Sequence, residues 1–68
     1  MKVISGKRMS RILDGKGWRL ARVTGSHHIY VHQGSNLRIT VPIHGNQDLK
    51  TGLQRAIMKL AGITEEEL

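Results

Sequence analysis

From Trp18 to Val41 this chain reads in period two, and short glycine-containing turns interrupt that reading twice. Alternation over a few residues is the signature of strands with one face covered. The spacing predicts a first strand from Trp18 to Val23, with Trp18, Leu20 and Arg22 on one face and Arg19, Ala21 and Val23 on the other. Thr24-Gly25-Ser26 has the composition of a turn, and His27 to His32 follows as a second strand. Gln33-Gly34-Ser35-Asn36 makes the next turn before a third strand from Leu37 to Val41. There Leu37, Ile39 and Val41 alternate with Arg38 and Thr40, and Pro42, which cannot donate to a ladder, ends it.

Helical spacing flanks this stretch on both sides. Ser5 can cap a helix over about residues 6–15, with Met9, Ile12 and Leu13 as its apolar stripe. Lys7, Arg8, Arg11 and Lys16 fall mainly on its other side, and Gly15 and Gly17 end it. After the polar connection Ile43–Gln47, Asp48 or Thr51 can cap a second helix whose stripe is Leu53, Ala56, Ile57, Leu60 and Ala61. Gly62 stops it, and Thr64 with Glu67 has capping-box spacing for a last short turn. The order is helix, three antiparallel strands, helix. The expected fold is therefore α+β, a single domain over residues 1–68 with a three-stranded antiparallel sheet and two helices on one of its faces. This α-β-β-β-α order is the architecture of the double-stranded-RNA-binding domain.

Charge narrows the partners. Up to Lys59 the chain carries eleven Lys and Arg against Asp14 and Asp48, and Glu65, Glu66 and Glu67 then bring the net charge to +6. Such a body attracts phosphate backbones or other anionic surfaces. There is no cysteine, which removes thiolate chemistry and fits a reducing compartment. No apolar run approaches the ~20 residues of a membrane span, and Met1–Gly6 lacks the apolar stretch of a signal peptide. A cytoplasmic protein without membrane contact is expected.

Four histidines, His27, His28, His32 and His44, raise the question of metal. On a strand, His28 and His32 lie about 13 Å apart at roughly 3.3 Å per residue, too far to share one ion. No carboxylate stands between Asp14 and Asp48, so neither a metal site nor a carboxylate-oriented hydrolase triad is expected, and no cofactor is implied. Alternation leaves two orientations for the second strand. Ile29 and Val31 could pack under the helices and carry His27 inward; alternatively Tyr30, the largest apolar body, could turn inward and leave His27 out. The size of Tyr30 favours the second, which leaves Ile29 and Val31 as an apolar pair suited to a partner.

One imidazole among many cations can run RNA cleavage, because the substrate brings its own nucleophile. A general base takes the 2′-hydroxyl proton, that oxygen attacks the adjacent phosphorus, and cations stabilise the charge. Histidine, with an unperturbed pKa of roughly 6.5, suits that work near neutrality. Lys50 precedes the second helix, whose amides favour an anion, and His44 is a loop residue that can stand near phosphate. A non-catalytic RNA-binding module would share the basic surface; no helix-turn-helix or basic-zipper pattern points to DNA.

Ser5-Gly6-Lys7, Gly17-Trp18, Arg22-Val23-Thr24-Gly25-Ser26-His27-His28, Thr40-Val41-Pro42-Ile43-His44-Gly45-Asn46 and Ala61-Gly62-Ile63-Thr64 together resemble the HicA (YcfA-like) toxins of bacterial and archaeal type II toxin–antitoxin systems. The resemblance covers nearly the whole chain. It implies a double-stranded-RNA-binding-like fold used as an mRNA interferase, translation arrest, and neutralisation by a HicB-type antitoxin. It also implies that the first histidine after Gly-Ser, His27, is catalytic and that Gly25 belongs to the motif. Leu60-Ala61-Gly62 stands where the family often has Gln-Ala-Gly, a departure on a helix away from the histidine. On this reading Gly25 and Ser26 hold backbone near the scissile phosphate, and Arg22, Lys50 and Lys7 contact RNA. With no regulatory domain in so short a chain, restraint is expected from an acidic partner that hides His27.

Overall fold

Ser5 opens the first helix, its hydroxyl accepting the Arg8 backbone N–H at 3.1 Å. The computed structural model describes all 68 residues and places α1 at Gly6–Gly15. Met9, Ile12 and Leu13 form its buried stripe, and Gly17 turns the chain out of it with a positive φ of 90°. Strands β1 (Trp18–Thr24), β2 (His27–His32) and β3 (Arg38–Pro42) then form one antiparallel sheet in the order β1-β2-β3. Helix α2 spans Thr51–Ala61, and a short 3₁₀ turn at Glu65–Glu67 follows. Trp18, Tyr30, Ile39 and Val41 from one face of the sheet join Met9, Ile12 and Leu13 of α1 and Ile57 and Met58 of α2 in one core. The element order and the antiparallel sheet are those the sequence suggests. No helix is long and apolar enough to cross a membrane.

The first strand departs from simple alternation. Its register with β2 shifts by one residue between Leu20 and Arg22, leaving Ala21 without a partner. Trp18, Leu20 and Val23 consequently lie on the helix side, opposite His32, Tyr30 and His28, whereas Arg19 and Arg22 share the open face. The expectation that Arg22 lies with Trp18 and Leu20 is thus corrected. A bulge adds a residue to one strand, and every later side chain changes face. Leu20 and Val23 stay 43% and 51% exposed, because β1 is an edge strand that the helices only partly cover.

Two boundaries differ as well. Leu37 stays in the turn, 47% exposed, because its N–H is taken by the Ser35 hydroxyl at 3.1 Å, so β3 begins at Arg38. Neither Asp48 nor Thr51 caps α2. Asp48 bridges back to Ser5, Thr51 is already helical, and Lys50 takes the cap position with no side-chain bond.

The buried stripe of α2 is also rotated from the expected one. Gln54, Ile57 and Met58 are buried and Ala61 half-buried, while Leu53, Ala56 and Leu60 face outward. Gln54 causes the rotation. Its side-chain oxygen accepts the Ile4 N–H at 2.9 Å, and its amide donates to the Lys2 carbonyl at 2.7 Å. A buried amide bonded at both its oxygen and its nitrogen in this way fixes the helix about its own axis. It also ties the N-terminal segment to the core through Ile4.

The C-terminal turn closes on the other end of α1. The Glu67 carboxylate accepts the Thr64 N–H at 2.9 Å and pairs with Lys16 at 2.9 Å, and these contacts, the Thr64 backbone bond first, hold it below the usual carboxylate range. His32 is structural. It packs edge-on against Trp18 at 5.2 Å, with its ring nitrogens 2.9 and 3.2 Å from the carbonyl oxygens of Gln33 and Lys16.

Helix α1 meets the end of β3 through Gly6, where a methyl group would run into the Pro42 carbonyl oxygen and the Ile43 side chain. Gly6→Ala should therefore destabilise the fold by about 1–3 kcal/mol, the usual cost of overpacking. Gly15→Ala, with open space around it, should be neutral or stabilising by up to about 1 kcal/mol. Denaturant midpoints check both, and equal stability of the two variants would contradict the close approach.

Candidate functional site

Tyr30 is 4% exposed, so it faces the helices, and alternation along β2 turns His27, Ile29 and Val31 to the open face. Of the two orientations that the sequence leaves, this is the one with His27 outward and exposed. Ile29 and Val31 are half-buried rather than free, since each sits on the central strand between residues of β1 and β3.

Strand pairing arranges the open face in three rows. Thr24, His27 and Pro42 make the first, Arg22, Ile29 and Thr40 the second, and Arg19, Val31 and Arg38 the third. His27 is the one imidazole among these nine side chains. None of the five acids lies in the sheet, and the two ion pairs, Met1 with Glu65 and Lys16 with Glu67, leave all three arginines unpaired.

The hairpin fixes where His27 begins. Gly25 and Ser26 form the two-residue connection between β1 and β2, with φ +58° at Gly25 and negative φ at Ser26. Glycine first in a two-residue loop is the pattern of a type II′ turn, whose twist matches that of the strands it joins. The Ser26 carbonyl then accepts the Ile43 N–H at 2.8 Å. That makes Ser26 and Ile43 a hydrogen-bonded pair and His27 and Pro42 the close, non-bonded pair beside it, with Cα atoms about 4.5 Å apart. Proline is tolerated there because a nitrogen at that position on an edge strand faces away from the ladder.

Pro42 also borders a groove of about 300 Å³, lined besides by His44, Gln47, Asp48, Leu49, Lys50 and Leu53. The groove thus opens next to the residue directly across from His27. Lys50 stands at the start of α2, where no side chain caps the helix and no acid occupies the first turn, so its terminal amides add positive potential. Lys7, exposed in the first turn of α1, follows Gly6, which abuts Pro42. The residues singled out in the sequence fall into two neighbouring groups: Arg22, Gly25, Ser26 and His27 on the hairpin, and Lys50 with Lys7 around the far side of Pro42.

Sequence reasoning left two contributors unassigned. Arg19 and Arg38 were legible from alternation, each lying opposite a core face, but had no chemistry attached. His44 lines the groove beside Lys50 because the turn at Gly45, with φ +56°, folds the connection back. His28 is on the helix side between Val23 and Val41, half-buried and away from the open face.

Residues 6–63 match the family described as HicA toxin of bacterial toxin-antitoxin, a span that includes every element from α1 through α2. Among curated proteins none matches the chain.

The turn geometry yields a direct test. Gly25→Ala should cost roughly 1–2 kcal/mol, the penalty for an L-residue held in the left-handed region. Ser26→Ala, at negative φ, should stay within about 0.5 kcal/mol of the parent. An unchanged denaturant midpoint for Gly25→Ala would show that the turn does not depend on glycine.

Proposed function

This chain belongs to the HicA toxin family and is the toxin of a toxin–antitoxin system, and on that premise we propose that it is a metal-independent endoribonuclease. It cleaves mRNA and so arrests translation, with His27 as its catalytic residue. The observation that carries this reading is the lone imidazole on an open, acid-free sheet face beside Arg22.

The chemistry needs few parts. His27 takes the proton of a 2′-hydroxyl as the oxygen attacks the adjacent phosphorus. The bond from phosphorus to the 5′-oxygen breaks, and that oxygen takes up a proton from the imidazolium or from water. The products are a 2′,3′-cyclic phosphate and a 5′-hydroxyl. Positioned proton transfer contributes about 10²–10⁴-fold. The backbone of Gly25 and Ser26 lies nearest the reacting phosphate, and Arg22 stabilises its developing charge. Lys50, with Lys7 nearby, receives the strand where it leaves His27 toward the groove at Pro42.

Restraint comes from outside the chain. A HicB-type antitoxin with an acidic surface covers the open face and hides His27, and the resulting complex is inactive on RNA. The half-buried edges of Ile29 and Val31 offer it a small apolar contact.

His27→Ala should abolish cleavage and toxicity while leaving the fold and RNA affinity nearly intact, because one neutral imidazole adds little to a phosphate-driven affinity. Purified protein incubated with a long mRNA in EDTA, beside this variant, is the measurement. The parent should cleave in EDTA and leave cyclic-phosphate or 3′-phosphate ends. Cleavage by the variant, or a metal requirement, would overturn the mechanism; binding without cleavage by the parent would make the protein an RNA-binding module.

A further inference from the structure

We propose that Arg19 and Arg38 form a phosphate clamp that holds an extended single-stranded RNA along β2, two rows from His27. The inference rests on the ribonuclease reading and adds to it a path and two residues. It starts from strand register: Arg19 and Arg38 are both paired with Val31, one from each neighbouring strand. Their Cα atoms are therefore about 10 Å apart across the sheet, given strand spacings of about 4.8 Å. Two arginine side chains, both exposed, are long enough to meet over Val31 from that separation around one anion.

The rows also have the right step. Each lies about 6.6 Å from the next along β2 at roughly 3.3 Å per residue, a spacing comparable to that of successive phosphates in an extended strand. Arg22 serves the row next to His27 and the Arg19–Arg38 pair the row beyond it. In the opposite direction the path leaves His27 past Pro42 into the groove with His44 and Lys50. His27 thus falls between the arginine rows and Lys50, which shares its groove with the Asp48 carboxylate.

The face suits phosphate better than bases. The only Trp and Tyr of the chain are buried on the other side, so no aromatic platform stacks bases, and recognition along this path is indifferent to sequence. Guanidinium groups match phosphate geometry in a fork that lysine lacks.

The test uses the His27→Ala protein, so that RNA stays intact, and a fluorescein-labelled single-stranded 10-nucleotide RNA read by anisotropy. Arg19→Ala with Arg38→Ala is compared with Arg55→Ala and Lys59→Ala, two exposed cations of α2 whose removal takes away the same charge. The sheet pair should weaken binding at least tenfold and flatten the plot of log affinity against log salt by about 1.4, twice the ~0.7 expected per single-strand contact. The helix pair should change affinity less than threefold and leave the slope alone. Equal losses from both pairs would mean net charge alone acts and would overturn the clamp. So would a sheet pair that keeps its RNA affinity. Arg19→Lys with Arg38→Lys separates the fork from charge, and it should recover the salt slope but only part of the affinity. If the His27→Ala protein binds no RNA at all, the ribonuclease reading fails and the clamp with it. If the parent cleaves normally and only the sheet pair is silent, the clamp alone fails.

Discussion

The burial of Tyr30 is the constraint on which the rest of the site depends. A strand offers its side chains to two faces alternately, and a central strand has no freedom to compromise between them. Once the tyrosine ring enters the core with Ile39 and Val41, His27 must lie on the opposite face, four residues from Val31 and level with Pro42. The alternative would bury Ile29 and Val31 and gain aliphatic area, but it would expose the larger ring and bring His27 toward the core without a carboxylate to meet it. Burial of a large aromatic body outweighs two smaller side chains that remain half-covered in any case. The position of the imidazole is thus a consequence of packing three positions away.

A second consequence concerns charge. With the helices on one face and all five acids outside the sheet, the open face collects positive groups with nothing to neutralise them. The register shift at Ala21 completes this arrangement. With the turn holding Thr24 opposite His27, Arg22 faces out on the near side of the shift; without the shift Arg19 would lie opposite His32 on the helix side, and Leu20 would lie opposite Val31 on the open face. A one-residue irregularity in an edge strand therefore decides whether the third row holds an arginine from β1, in keeping with the use of bulges to re-aim side chains. The chain belongs to the HicA toxin family, and the charge of this face is the physical basis on which the proposed activity rests.

Much of this was legible in the sequence because it follows from short-range pattern. Ser5 as a cap, the Met9-Ile12-Leu13 stripe, the glycine turns and the alternation of Arg38-Ile39-Thr40-Val41 are all local statements, and the structure agrees with each. What escaped was set at long range. The face of α2 is chosen by Gln54, and its partners are backbone groups of Lys2 and Ile4, some fifty residues away in sequence. A polar side chain is ordinarily assigned to the solvent side, so Leu53 and Leu60 took the core positions on paper that Gln54 and Met58 hold in the fold. The bulge at Ala21 left no mark in the pattern either. Both alternations of Trp18–Thr24 are plausible as strands, and only pairing with β2 reveals the extra residue. Asp48 illustrates the same limit, since its proximity to a helix start says nothing about a bridge to Ser5.

The central claim is that RNA lies on the open face of the sheet, with His27 between cations that strand register has brought there. Backbone amide shifts of uniformly labelled His27→Ala protein, followed by NMR during titration with a short single-stranded RNA, test it most directly. The account predicts the largest perturbations at Arg19, Arg22, Thr24, Ile29, Val31, Arg38 and Thr40, continuing through His44 and Lys50. Perturbations concentrated instead on the outer faces of the helices, at Arg8, Arg11, Arg55 and Lys59, would contradict it.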